Sequence, residues 1–194
     1  MNGLHIFTRD HRLTDNTSLI QLLKKCDKIY TIFIFTPEQV ISNSFKSKNS
    51  IQFMIESLSD LEKSIDNNNG KLFIFKDNYE KVIEQFIKNN NINIVSINKD
   101  YTPYSKKREK KISKICDSLK IELICEYDYL LTNPGEILSG DNNVYKKFTP
   151  FYNNAIKKLS TFSLQNPSFK NKIIKTINNS KLRNVDLKNE YLAL

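Results

Sequence analysis

Five short, almost uninterrupted apolar runs divide residues 3–126: GLHIFT at 3–8, KIYTIFIF at 28–35, KLFIF at 71–75, INIVSI at 92–97 and IELICE at 121–126. A run with little polar alternation suits a strand covered on both faces, which is the condition of a parallel sheet. The segments between these runs carry a helical period instead. Residues 17–26 follow Asp15 and Asn16, either of which can cap a helix. Residues 50–66 place Ile51, Met54, Ile55, Leu58, Leu61 and Ile65 on one face. Residues 79–88 do the same with Val82, Phe86 and Ile87, and residues 106–119 with Ile112, Ile115 and Leu119. Parallel neighbours need crossover helices, and such crossovers are right-handed. The alternation therefore predicts a doubly wound α/β domain.

The expected architecture is Rossmann-like, with five parallel strands in the order 3-2-1-4-5 flanked by helices and followed by a C-terminal extension. After Tyr127 the alternation stops. NPGEILSGDNNVYKKF reads as a looped return or hairpin, before a last helix near 151–160. The reading divides the chain into a domain over 1–158 and a linker-like, partly flexible tail over 159–194, with a short helix around 185–194 as an option. The net charge is +9, and from Lys157 onward eight Lys or Arg stand against two acids. The stretch from Lys157 to Leu194 thus carries +6 of the total, with few aromatics to stack bases, which suits a solvated extension or at most a weak DNA contact.

Several function classes are excluded on composition. No apolar run approaches the roughly 20 residues needed to cross a bilayer, and MNGLHIF is unlike a secretory leader. The expectation is an intracellular soluble protein, cytoplasmic or nuclear, without a membrane partner. Three cysteines without CxxC spacing and two histidines outside any ligand-spaced cluster argue against a disulfide framework or a metal site. With four glycines in all, no glycine loop follows the first strand. That disfavours a nicotinamide dehydrogenase or a P-loop enzyme.

Ligands of doubly wound sheets sit at the carboxyl ends of the strands, near the reversal of strand order. Three polar stretches fall there: Thr8, Arg9 and Asp10; Phe35, Thr36 and Pro37; and Asn98, Lys99, Asp100 and Tyr101. Aromatics beside Asp and Arg suit a flat heteroaromatic ligand, stacked and then hydrogen-bonded at its edge. Arg12 and Asp15 read as an ion-pair network closing the turn into the first helix. For Arg9, Asp100 and Tyr101 both roles stay open.

FTRDHRLTDN at 7–16, FIFTPEQV at 33–40, NSIQFMIESLSDLEKSI at 49–65, NKDYTPYSKKRE at 98–109 and PGEILSGDNNVYKKFTPF at 134–151 occur in an order and spacing that resemble the α/β domain of DNA photolyases and cryptochromes. The resemblance covers residues 4–158. It implies an antenna chromophore, methenyltetrahydrofolate or 8-hydroxy-deazaflavin (a flavin in some members), held by Arg9, Asp10, Asn98, Asp100 and Tyr101, with Phe35, Thr36 and Pro37 near its rim. Thr102 stands where members commonly carry a Glu that anchors the antenna. Asn49 and Ser50 stand where deazaflavin-type members have an Arg, with Phe45, Lys46 and Lys48 as nearby substitutes. In the family, FAD, the lesion pocket and the Trp chain of photoreduction belong to a second, helical domain, and this chain has no Trp. The implied function is a truncated or split deoxyribodipyrimidine photolyase, a carbon–carbon lyase inactive alone. FAD, and DNA with it, would come through a separately encoded helical partner. A stand-alone nucleotide-binding module and a non-binding remnant are the alternatives.

Overall fold

A computed structural model of the chain describes residues 1–40, 47–159, 163, 165–169, 172–178, 182, 185 and 187. Five strands, β1 (Asn2–Phe7), β2 (Lys28–Phe35), β3 (Leu72–Lys76), β4 (Ile94–Lys99) and β5 (Glu122–Tyr127), form one all-parallel sheet in the order β3-β2-β1-β4-β5. Among the described residues they are accompanied by helices α1 (Thr17–Lys25), α2 (Pro37–Val40), α3 (Lys48–Asn67), α4 (Tyr79–Asn90), α5 (Pro103–Leu119) and α6 (Phe148–Leu159). Both the sheet and its order follow the sequence reading.

Each face of the sheet has its own core. Leu19, Leu22 and Leu23 of α1 and Ile55, Leu58, Leu61 and Ile65 of α3 pack with Phe33, Phe35 and Ile74 on one face. On the other, Val82, Ile83 and Phe86 of α4 and Ile112 and Cys116 of α5 pack with Ile32, Ile34 and Phe75. Phe86 meets Tyr30 and Phe75 edge-on at centroid distances of 5.6 and 6.0 Å. Each such side chain contributes about 1.5–3 kcal/mol through burial. Strand β5 is one of the sheet's two edges, and Ile124 is its one buried residue, whereas the other edge, β3, is buried over Leu72–Phe75. Gly3 is where α1 comes closest to β1, because a Cβ there would lie 2.8 Å from Leu22 Cδ1 and 2.9 Å from Cys26 Sγ.

Two local details go beyond the sequence reading. Helix α5 starts at Pro103, three residues early, because Thr102 caps it through the Ser105 N–H and proline fits the first helical position. Leu138 and Val144 form an antiparallel bridge, so the return is a small hairpin.

The extension does more than trail from the domain. Ile173 bridges to Ile29 in parallel, with the Ile29 N–H donating to the Lys172 carbonyl and the Ile174 N–H to the Ile29 carbonyl. Phe169, Ile173, Val185 and Leu187 are buried in the core beneath α1 and α3. Gly70 makes room for this docking, since a Cβ there would meet Ile173 Cβ at 2.6 Å. A segment docked by separate anchors has no amphipathic period, so its burial left no pattern to read. The optional helix at 185–194 falls almost wholly outside the described residues.

Candidate functional site

Beyond Phe7 the chain leaves β1 as Thr8, Arg9 and Asp10, and these three part company. Asp10 turns inward, fully buried, and accepts hydrogen bonds from the Thr8 N–H (2.9 Å), Asn16 Nδ2 (3.0 Å) and Asn98 Nδ2 (2.7 Å). His5 Nδ1 lies 2.7 Å from Ser96 Oγ, and its Nε2 lies 3.6 Å from Asp10 Oδ2, just beyond hydrogen-bond reach. Burial pushes the Asp10 carboxyl upward, but His5 and the Thr8 amide outweigh it and hold the group well below the usual carboxylate range. Asp10 is therefore an ionised hub.

Asn98 is equally committed. Its Nδ2 also donates to Asn16 Oδ1 (2.9 Å), and its Oδ1 accepts from the Ser18 N–H (3.0 Å). The two side chains tie β1, β4 and the start of α1 together beneath the crevice. Asp128, at the end of β5, completes this floor. It accepts from the Thr17 N–H and hydroxyl at 2.8 Å and from Arg12 at 2.7 Å, while Arg12 also donates to the Asp15 carbonyl at 2.8 Å. Arg12 thus pairs with a carboxylate more than a hundred residues away, and Asp15 enters through its backbone.

Arg9 and Tyr101 face outward. The Arg9 side chain is 61 % exposed, reaches Asp100 Oδ2 at 3.4 Å and lies over the Tyr129 ring at 5.6 Å. Asp100 accepts from the Tyr101 and Thr102 N–H groups and from Ser105 Oγ. Burial raises its carboxyl, and these donors together with Arg9 more than reverse that, leaving it low. Thr102 is spent on capping α5. Phe35 is fully buried, edge-on to Phe33 at 4.9 Å, and lies under the floor of the crevice. Thr36 is buried too; its N–H donates to Gln39 Oε1 (3.2 Å) and its hydroxyl lies 3.3 Å from the Tyr104 hydroxyl. Pro37 opens α2.

A cavity of about 620 Å³ at the strand ends lies between the β1–α1 loop and α3, lined by Arg9, His11 and Arg12 on one side and Phe53, Met54 and Asp60 on the other. That volume is within the range of about 300–1,000 Å³ typical of ligand sites. Phe53 is 71 % exposed, unusual for a large apolar ring, and stands at the cavity wall. Burial lowers the His11 pKa against the pull of Asp10 and the Thr8 carbonyl, so the ring that accompanies Arg9 is neutral at pH 7. The arrangement places the Arg9 and Arg12 guanidiniums, the Asp60 carboxylate, the Phe53 ring and a neutral imidazole around a slot. Elsewhere among the described residues burial raises all three thiols, Cys116 and Cys125 to about 11, so none of them is an activated nucleophile. Among the described residues no three His, Cys, Asp or Glu side chains converge as a metal site. No helix among them is long and apolar enough to cross a membrane.

Of the nine residues expected at the site, Arg9 and Tyr101 are exposed on the β1 and β4 loops, Asp100 is buried beneath them and paired with Arg9, Asp10 and Asn98 are buried in the floor, and Phe35 joins the core. Phe53, Met54 and His11 were not anticipated. The exposed Phe53 in an otherwise regular amphipathic helix was the one available signal. Lys48 and Ser50 belong to the first turn of α3, where Ser47 caps through the Ser50 N–H; Phe45 and Lys46 lie outside the described residues.

Comparison with known proteins identifies the class. The family model for DNA photolyase matches residues 3–170, and the chain belongs to that family. Cryptochrome-1 of Anopheles gambiae is 26% identical over 152 residues, covering 74% of this chain and 28% of the mosquito protein. Cryptochrome-1 of Aedes aegypti is 26% identical over 150 residues, covering 74% and 27%. Among solved structures, the photolyase of Sulfolobus tokodaii, described with two FAD molecules, is 35% identical with a TM-score of 0.72, covering 90% of this chain and 37% of its own. A class III photolyase from Agrobacterium tumefaciens shares the fold at 18% identity and a TM-score of 0.80, covering 98% and 38%. The chain thus spans between a quarter and two fifths of these relatives, and matches their N-terminal α/β domain.

Proposed function

We propose that this domain binds a flat light-harvesting chromophore in the crevice between the β1–α1 loop and α3, in the service of DNA photorepair. The observation that carries the reading is the cavity of about 620 Å³ at the strand ends, with the largely exposed Arg9, paired to Asp100, placed to meet a polar edge and Phe53 to stack on a ring. The Sulfolobus relative, described as implying a novel light-harvesting cofactor with its two FAD molecules, makes FAD a candidate beside methenyltetrahydrofolate and 8-hydroxy-deazaflavin. Such a group supplies absorption in the near ultraviolet and blue. The residues here orient it and limit its access to water.

The catalytic FAD and the lesion-bearing DNA would be held by a helical domain outside the described fold. Leu131, Val144, Phe148 and Tyr152, exposed on the hairpin and α6, offer an apolar face for it. Contact of DNA with the tail would be secondary.

The test is a titration of the chain with each of the three chromophores, followed by absorption and fluorescence. At least one should bind with a micromolar Kd, and Arg9→Ala and Phe53→Ala should each weaken it about tenfold, equivalent to roughly 1.4 kcal/mol. Failure of all three at about 100 μM, where a micromolar site would be saturated, overturns the proposal.

A further inference from the structure

A second, smaller cavity of about 140 Å³ lies on the other face, between the amino-terminal end of α4 and α5, separated from the crevice by Thr36 and Gln39. It falls below the size of sites that enclose a whole ring system. What lines it is unusual. Arg108 of α5 is 8% exposed, yet it forms no ion pair with any described carboxylate, and its buried Nε has no acceptor among the described residues. Its guanidinium lies over the rings of Tyr79 at 5.6 Å and Tyr104 at 6.0 Å. Tyr79 stays a neutral phenol, since burial pushes its pKa up to about 12. An arginine cannot shed its proton, so burial without a counter-charge carries a desolvation cost that two ring faces offset only in part.

The same cavity receives the start of α4. Its cap residue, Asn78, makes no side-chain capping hydrogen bond, whereas Asn16, Ser47 and Thr102 cap α1, α3 and α5. A twelve-residue helix thereby points uncapped N–H groups and the positive end of its dipole at the space that Arg108 lines. Lys107 adds a third source of positive charge at the rim. Of the two carboxylates present, Glu80 is neutralised by Lys111, and Glu38 stands beside the same lysine.

We propose that this cavity is a binding site for a phosphate-class oxoanion, held between the first turn of α4 and the buried Arg108. The inference goes beyond the chromophore reading and does not depend on it, because the anion alone is the probe. The chemistry is shared by free phosphate and by the phosphoryl group of a nucleotide, and the experiment separates them.

The wild-type chain is titrated with inorganic phosphate, AMP and adenosine against chloride at matched ionic strength, reading the melting temperature and the amide resonances of residues 79–81. Phosphate should raise the melting temperature beyond chloride and shift those amides. Adenosine should do neither. AMP binding at least tenfold tighter than phosphate assigns the site to a nucleotide, and equal affinities assign it to the free anion. Arg108→Met should abolish the phosphate effect without lowering the melting temperature in chloride, since it removes an unpaired buried charge and keeps the stem. An equal response to phosphate and chloride in the wild type, unshifted amides, or a phosphate effect surviving in Arg108→Met overturns the proposal. The amide readout on the wild-type chain decides the matter even if the variant fails to fold.

Discussion

Replacing Asp10 by Asn changes one atom and tests whether this carboxylate is the hub that joins the strand ends. The side chain accepts from the Thr8 N–H, Asn16 Nδ2 and Asn98 Nδ2, all out of contact with water. An amide retains one acceptor and aims an NH₂ group at the donors it must still face. Hydrogen bonds to a charged group contribute about 1.5–3 kcal/mol each. Two of the three are lost or inverted, although Asn98 and Asn16 keep second partners in Asn16 Oδ1 and the Arg12 carbonyl. The expected destabilisation is about 3–5 kcal/mol, the range for a buried charged group deprived of its partners. For a chain of this size that corresponds to a fall in Tm of roughly 6–20 °C. Guanidinium unfolding followed by far-ultraviolet circular dichroism measures it.

The pH dependence supplies a second signature. The folded-state pKa of Asp10 is depressed, so its contribution is complete above the unfolded value of about 3.9 and is lost as pH falls through and below that value. The stability gap between wild type and Asp10→Asn should be constant from neutral pH down to about pH 5 and narrow in more acid solution. A destabilisation under about 1 kcal/mol, or a gap that widens on acidification, would show that Asp10 is not the structural carboxylate described.

Two further outcomes follow from the packing. Ile173→Ala should cost about 2–5 kcal/mol in the same unfolding assay, as expected for a core aliphatic; a change near zero would mean that the extension contributes nothing to the domain. Lys120, exposed at the end of α5, has φ 57°, a left-handed conformation that glycine adopts freely. Lys120→Gly should therefore stabilise the domain by about 0.5–1 kcal/mol, the strain relieved less the entropy glycine loses. A lower Tm in that variant would refute the assignment of strain.

The sheet was legible because burial on two faces removes polar residues from whole strands, and that leaves an unmistakable run at Ile29–Phe35. The partners of Arg12 were not. Asp128 follows β5, where the alternation ends, and nothing in its neighbours separates a buried acceptor from a loop acid. Arg108 was hidden for a different reason. It sits in SKKREKK, where one inward guanidinium cannot be told from its four lysine neighbours by residue type. The buried anchors of the extension were invisible because each docks alone.

The residues at the strand ends show where a signal was available. A strand's side chains alternate in direction, and the alternation continues past the last paired residue. Leu4, Ile6, Thr8 and Asp10 form one series and are all buried; His5, Phe7 and Arg9 form the other, and the last of these emerges from the sheet. After β4 the same parity buries Asn98 and Asp100 and exposes Tyr101. Residue type alone makes Arg9 and Asp10 equal candidates for a ligand. Parity separates them, assigning the even-numbered residues of both loops to the hub and the odd-numbered ones to the crevice. A chromophore in this domain should consequently respond to substitution at Arg9 far more than a side chain count of the loop would suggest, while Asp10 governs whether the loop exists.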